Sequence, residues 1–383
     1  MRRQLAMKMS GLLLGPAALL LASCAGLETL PPPALPDGGL AAEVLAGWTD
    51  LRVAFHVHTG ESPDGKGTLG DVLSAARDAG IQALVLTEHD HLGSDGRSGT
   101  HDGIVVLCGE EVGSGSHVLS LGASEHVQHD LRGRELRNAI HARGGRAVLA
   151  HPGLGEEDDR DELLSLCDAL EIYSFSTDTL EESRVSLVLK SVLGLPFSPR
   201  CTLLSILDPP RTELALWDRE LARRPLPGIG AVDSHGTWGL SHRRAFSVVQ
   251  THVLVREKTE EAILDALLRG RSHVTFEVLG EVPYFLFAVE KDGEHWLSGE
   301  SIPWQDGMRA SFQIPGNATW RLLRNGRVFC SGEQIGIAPW TQDPLPGPGV
   351  YRLEAWREER PWILSNAIRL EKSVPATPLA TVD

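Results

Sequence analysis

Positive charge is scarce in this chain. Lysine and arginine number 36 against 51 aspartates and glutamates, for a formal net charge of −15. Nucleic-acid binding needs a basic footprint, so this balance argues against such a partner. Cysteine is scarce too: five residues in 383, with no CxxC pair. That excludes the common zinc-ribbon and dithiol redox motifs. Cys108, Cys167, Cys201 and Cys330 read as small buried hydrophobes, and their spacing assigns no disulfide. The N-terminal apolar run, Leu12 to Leu21, is broken by Gly15-Pro16. It falls short of the ~20 residues that span a bilayer. No internal repeat is present.

Arg2, Arg3 and Lys8 flank that run with no acid among them, and it ends in Leu21-Ala22-Ser23-Cys24. A basic start, a short apolar core and a small-residue cleavage site describe an export signal over residues 1–23. The cysteine after Leu-Ala-Ser resembles the bacterial lipobox, which implies cleavage before Cys24 and lipid on its sulfur. The alternative is a plain secretory signal with an incidental cysteine. Ala25 stands where Asp would argue for inner-membrane retention. Residues 24–46, with Pro31-Pro32-Pro33, read as a tether, and residues 373–383 as an unstructured tail. The chain is therefore expected to be exported and lipid-anchored to the bacterial cell envelope.

Between these ends, strands alternate with helices. Leu51–Val57, Ile81–Thr87, Ile104–Cys108, His117–Leu121, Arg146–Ala150, Ala169–Tyr173 and Ile229–Val232 are short apolar runs, as in buried strands. Thr68–Ala79 and Leu131–Arg143 carry a helical period, and Arg211–Arg223 reads as a further helix. Gly80 is a plausible stop for the first. Glu260–Leu268 reads as a closing helix, capped by Thr259 and stopped by Gly270. This alternation argues for parallel βα units. After about Gly280 the segments shorten, turn strand-like and are separated by Gly, Pro, Asn and Asp, which predicts a small all-β, sandwich-like domain over 280–372. The first domain is then 47–279.

Polar residues fall where these strands stop. His58, His89, His151 and Asp233-Ser234-His235 each follow an apolar strand, with His56 and His117 nearby. In a parallel βα barrel or sheet, those ends collect on the face that holds the active site. Imidazole and carboxylate together suit Zn, Mn or Fe. Such a cluster is costly to bury unless metal satisfies the carboxylates and imidazole lone pairs. His56 and His58, two apart on one strand, share a face.

These residues resemble the PHP (polymerase and histidinol phosphatase) superfamily. Its motifs recur here in order: His56-Val57-His58, the loop acid Asp64, Thr87-Glu88-His89, Gly109-Glu110-Glu111, His117, His151-Pro152 and Asp233-Ser234-His235. The resemblance covers about residues 51–275 and implies a distorted (β/α)7 barrel. It also implies a ligand layout. His56, His58, Glu111 and Asp233 would hold one ion. Glu111 would bridge to a second, held also by His117 and His151. Asp64, His89 and His235 would hold a third. Many members carry Asp at the position of Glu88, and some carry His at that of Asp64. Spacing from Gly109 favours Glu111 over Glu110. Leu214–Leu221 and the closing Val350–Leu370, with Pro361-Trp362-Ile363-Leu364-Ser365-Asn366, are similar to the CehA/McbA (carbaryl hydrolase-like) branch, which pairs this domain with a small β domain.

The expected activity is hydrolysis of a small-molecule ester, a phosphoester first. Two or three divalent ions (Zn, Mn or Fe) would bridge a hydroxide as nucleophile. Glu111, Asp233 and His151 are the residues on which catalysis should depend. Arg243 and Arg244 are candidate phosphate contacts, and His91 and His242 candidate proton donors. The alternatives are a carboxyl ester, carbamate or amide hydrolase on the same site, and a non-catalytic surface lipoprotein binding a ligand or partner. The sequence does not speak to oligomeric state.

Overall fold

The apolar runs and their caps place the elements. The computed structural model describes residues 39–372, apart from 95, 114–116, 154–156, 182–189, 196–197, 238–239 and 343. The expected signal peptide, Cys24 and the tail lie outside the described residues. Helix α1 (Leu40–Val44) precedes β1 (Thr49–Val57), α2 (Leu69–Asp78), β2 (Ala83–His89), β3 (Gly99–His101), β4 (Ile104–Val112) and β5 (Val118–Leu121). Next come α3 (Gly133–Ala142), β6 (Arg146–Leu149), α4 (Glu157–Leu166), β7 (Ala169–Ser174), α5 (Phe175–Glu181), α6 (Pro199–Leu204) and α7 (Arg211–Leu221). Then follow β8 (Gly228–Ala231), α8 (His242–Phe246), β9 (Gln250–Val255), α9 (Glu260–Arg269) and β10 (Ser272–Thr275). Helix α2 opens on a reciprocal capping box between Thr68 and Asp71. Helix α9 opens on Thr259, whose hydroxyl accepts the Ala262 N–H, and stops at Gly270 with φ 73°.

Strands β1, β2, β4, β5, β6, β7 and β8 are hydrogen-bonded in that order. Beyond β8 the chain returns to β1. Val232 N donates to Phe55 O at 2.9 Å, Ser234 N to His56 O at 3.2 Å, and His58 N to Ser234 O at 3.0 Å. The path therefore closes on itself. It departs from the expected run of parallel βα units at β5, which is antiparallel to both β4 and β6. The segment between β4 and β5 is too short for a crossover, which needs a dozen or more residues. Alternate residues face two cores. Val53, Phe55, Val85, Leu107, Val148, Ala169 and Ile229 face inward with Ile263 and Leu267 of α9. Ala54, Leu84, Val106, Leu149 and Leu170 face outward, in one cluster with α2, α3 and α7.

The large sheet runs across the expected boundary at residues 279 and 280. The second half contains β11 (Leu286–Lys291), β12 (Glu294–Leu297), β13 (Ser301–Pro303), β14 (Arg309–Gln313) and β15 (Ala318–Arg324). These are followed by β16 (Arg327–Gln334), β17 (Trp340–Gln342), β18 (Gly349–Arg357), β19 (Arg360–Ser365) and β20 (Ile368–Glu371). Only β12-β11-β14-β17 forms a separate antiparallel sheet. β19 pairs antiparallel with β10, so the large sheet runs on into β18, β20 and β13. This covers an edge of β10 that would otherwise carry unpaired backbone groups. The end of the expected tether is also folded. Ala41 is fully buried against Leu254, Tyr284 and Leu286, and its N–H donates to Gln313 Oε1 at 2.9 Å. The pattern Leu40, Ala41, Val44, Leu45 is a helical apolar face that the preceding prolines obscure.

Helix α7 and the strands β18 to β20 meet at this junction. Arg352 on β18 makes two 2.7 Å bonds to Asp218 of α7 and lies over the Trp217 ring. Asn366, between β19 and β20, is buried. Its Oδ1 accepts the Gly228 N–H at 2.7 Å, and its Nδ2 donates to Gly228 O and Ser272 Oγ at 2.9 Å each. Leucine has similar bulk but would leave these groups buried without partners. Asn366→Leu is expected to cost about 3 kcal/mol, read as a lower urea midpoint with an unchanged slope.

Candidate metal centre

Strand parity selects the side chains that meet at the end of the ring. Side chains alternate in a strand, so the inward face through Val85, Leu107, Ala169 and Ala231 reaches His89, Glu111, Glu171 and Asp233 next. The same parity turns Glu88 and Glu110 away. β1 breaks the rule to the same end. Regular alternation from Val53 and Phe55 would face Val57 inward and both histidines outward. The register shifts between Phe55 and Val57, and His56 takes φ 65°. This β-bulge puts Val57 in the outer core with Ala54 and brings His56 and His58 together inside, ring centroids 5.0 Å apart. His117, His151 and Asp233 also have positive φ, at 40°, 22° and 44°. Backbone held in that region costs about 1–3 kcal/mol per residue and gathers at functional sites.

Glu111 is the hub. Its Oε1 lies 2.6 Å from His117 Nδ1 and 3.2 Å from His151 Nε2. Its Oε2 lies 3.0 Å from His56 Nε2, 3.3 Å from His58 Nε2 and 3.5 Å from His89 Nδ1. Asp233 Oδ1 is 3.5 Å from His56 Nε2 and 3.3 Å from His58 Nε2. Three groups could each hold an ion: His56, His58, Glu111 and Asp233; Glu111, His117 and His151; and His58, His89 and His235. Asp64, expected in the third, lies 3.5 Å from both His89 Nε2 and His235 Nε2 and is more than half exposed. His58 stands in that group where Asp64 was expected.

Hydrogen bonds behind the rings fix which nitrogen faces the centre. His56 Nδ1 donates to Glu171 Oε1 at 2.7 Å, leaving Nε2 toward Glu111 and Asp233. Ser62 has one proton and gives it to Glu88 Oε2 at 2.6 Å. It therefore accepts from His58 Nδ1 at 3.1 Å, and His58 presents its Nε2 lone pair. His235 Nδ1 donates to its neighbour's carbonyl, Asp233 O, at 3.1 Å. Acceptors behind an imidazole that set its tautomer are the usual support of a metal ligand.

The electrostatics call for cations. Burial alone would push the His56 pKa down, but Asp233, Glu171 and Glu111 overcome it and hold it well above the usual value. His58 is opposed by burial in the same way and raised to about 9 by Asp233 and Glu111. Burial would raise Glu111 and Asp233, yet the facing imidazoles hold both well below the carboxylate range. Even so, His58 Nε2, Asp233 Oδ1 and His151 Nδ1 are buried with no hydrogen-bond partner. Unpaired buried atoms of this kind are costly. His56 Nε2 and His58 Nε2 stand 3.5 and 3.3 Å from Asp233 Oδ1, and with both rings neutral this arrangement fits a divalent ion between them.

Glu88 braces the loop instead of entering the centre. It accepts from Thr59 N and Oγ1 and from Ser62, and pairs with the buried Arg97 at 2.8 Å. Glu110 faces outward to His126 at 2.6 Å and Val127 N at 2.9 Å. Arg243, a candidate phosphate contact, instead faces Asp78 of α2 at 3.7 Å and is largely exposed. Arg244 is half-buried on the same short helix. His242 cannot give a proton to a leaving group. Its Nε2 donates to Lys66 O at 2.9 Å and its Nδ1 accepts from Ser234. His91 is half exposed, 3.5 Å from Glu61. Sequence reasoning missed Glu171, whose Oε2 also accepts the His151 N–H at 2.8 Å. The signal was there: one acid inside the apolar strand Ala-Leu-Glu-Ile-Tyr, two residues past an inward Ala169.

No family model matches the chain, and no curated protein matches it. Among solved structures it is similar to a two-domain protein from Bacteroides vulgatus containing a predicted PHP-like metal-dependent phosphoesterase. Identity is 15% and the TM-score 0.41, over 84% of this chain and 96% of that one.

Glu171→Gln leaves one acceptor oxygen where His56 Nδ1 and the His151 N–H each need one. Affinity for zinc, measured by competition with a chromogenic chelator, is expected to fall about 10–100-fold. Unchanged affinity would remove Glu171 from the account.

Proposed function

We propose that this chain is a metal-dependent hydrolase of the PHP type, acting on phosphoric esters, with ions held by the three groups around Glu111. The observation that carries this reading is one buried carboxylate facing five imidazoles, beside orphaned nitrogen and oxygen atoms. Zinc, manganese or iron suits these donors; such ions, when bound, acidify water and stabilise charge on the oxygen under attack. The protein's part is placement. Glu171 and the Ser62–Glu88 pair orient His56 and His58, and the bulge at His56 turns both rings inward. Asp64, His89 and His235 form the more open side, where a substrate can enter.

Charge favours a phosphoester when three ions are bound. Glu111, Asp233, Asp64 and Glu171 bring four negative charges, which two divalent ions would balance and three would exceed. A net positive centre suits an anionic ester. One observation favours the second reading, a carboxyl ester, carbamate or amide. The cleft beside His151 and Glu171 is lined by Asp178, Asp208 and Glu213, with Arg211 alone among them as a cation. Such walls accept a neutral or cationic group more readily than an anion. We also propose that export and lipid on Cys24 place the enzyme at the cell envelope.

Aryl phosphates assayed beside aryl esters, with each metal in turn, separate the two readings. The phosphate is expected to turn over faster. His151→Ala and Asp233→Ala should each lower kcat/KM by about a hundredfold or more, with circular dichroism unchanged. Turnover at the parent level in either variant would sink the assignment.

A further inference from the structure

A second set of donors lies on the other face of the sheet and shares no residue with the groups around Glu111. Leu51, Val53 and Val253 face the inner core, so Asp50 on β1 and His252 on β9 face outward. His252 is directly opposite His273 on β10, and Asp50 is one diagonal step from His252. Each of the three offers a ligand atom within 4.8 Å of the others. Asp50 Oδ1 is 3.0 Å from His252 Nδ1, and the two rings are 4.9 Å apart. His252 is 1% and His273 3% exposed.

Asp50 Oδ1 and His252 Nδ1 share a hydrogen bond, but the outer polar atoms of the cluster lack partners. His273 Nε2 is buried with no hydrogen-bond partner. Beyond His252, its Nε2 and Glu277 Oε1 stand 3.6 Å apart, both buried and both without a hydrogen bond. Phe285 covers the His273 ring, centroids 4.8 Å apart. A small cavity lined by Ser272, His273, Phe285 and Ser298 adjoins it.

We propose that Asp50, His252 and His273 hold a structural divalent ion, zinc by donor type, with Glu277 accepting the outer N–H of His252. Two imidazoles and a carboxylate are a zinc donor set. A carboxylate behind a ligating imidazole is how proteins orient such rings. The ion ties β1, β9 and β10 together beneath the turn that carries Glu277 into the second half of the chain.

The test uses the full chain, loaded with zinc, dialysed against metal-free buffer and crystallised. Anomalous difference density at the zinc edge is expected to show a peak about 2.0–2.2 Å from one atom each of Asp50, His252 and His273. Peaks confined to the Glu111 groups, or no peak at all, would overturn the proposal. His273→Gln should lose one zinc equivalent by elemental analysis and keep those bound at Glu111. A folded His273→Gln that retains every equivalent would overturn it equally. If that variant does not fold, the anomalous map of the parent protein decides alone.

Discussion

A buried carboxylate stays ionised only where positive charge or hydrogen bonds meet it, and Glu111, almost wholly buried, is held well below the usual carboxylate range by the imidazoles that face it. Much else at this end of the ring answers that constraint. Five imidazoles converge on its two oxygens; Glu171 holds the outer nitrogen of His56, and Ser62, itself bonded to Glu88, holds that of His58. His56, His117, His151 and Asp233 adopt backbone conformations that non-glycine residues rarely take. Protons on His56 and His58 can supply the missing charge, but they leave Asp233 Oδ1 without a hydrogen bond. Divalent ions would supply that charge and engage both the carboxylates and the ring lone pairs.

Where several of these side chains fall was legible because side chains alternate within a regular strand and apolar runs mark where strands end. His89, Glu111 and Asp233 could be read in this way; His151 follows the inward Ala150, and its positive φ turns it to the centre. Two features could not. The bulge at His56 is a register shift between neighbouring strands, and no residue in Phe-His-Val-His announces it. The histidine pair looks right on simple alternation, yet that alternation faces outward, and the bulge makes it correct. Glu171 was legible in principle, as a charged residue inside an apolar strand, but only once the inward parity of β7 is known. Asp64 and the arginines after Asp233 illustrate the opposite case. Loop and helix-surface residues have no parity to constrain them, and Arg243 faces Asp78 of α2.

The division of the chain was less legible for a similar reason. A change of composition near Gly280 marks shorter strands, but it does not say which strands they pair with. The pairing of β19 with β10 carries the large sheet across that point, and Asn366 and Arg352 fasten it to β8 and α7. The same junction covers Asp50, His252 and His273. A polar cluster buried there needs its own compensation, as Glu111 does at the opposite face. The Pro31-Pro32-Pro33 segment likewise drew attention from the apolar face of α1, which packs on the second sheet.

The most direct test of the central claim is the metal content of the full chain, purified without added metal or chelator, beside Glu111→Ala. Removing the shared carboxylate from two of the three groups should remove at least two equivalents of zinc, manganese or iron together. A protein that carries no such ions, or a folded Glu111→Ala that keeps all of them, would contradict the account.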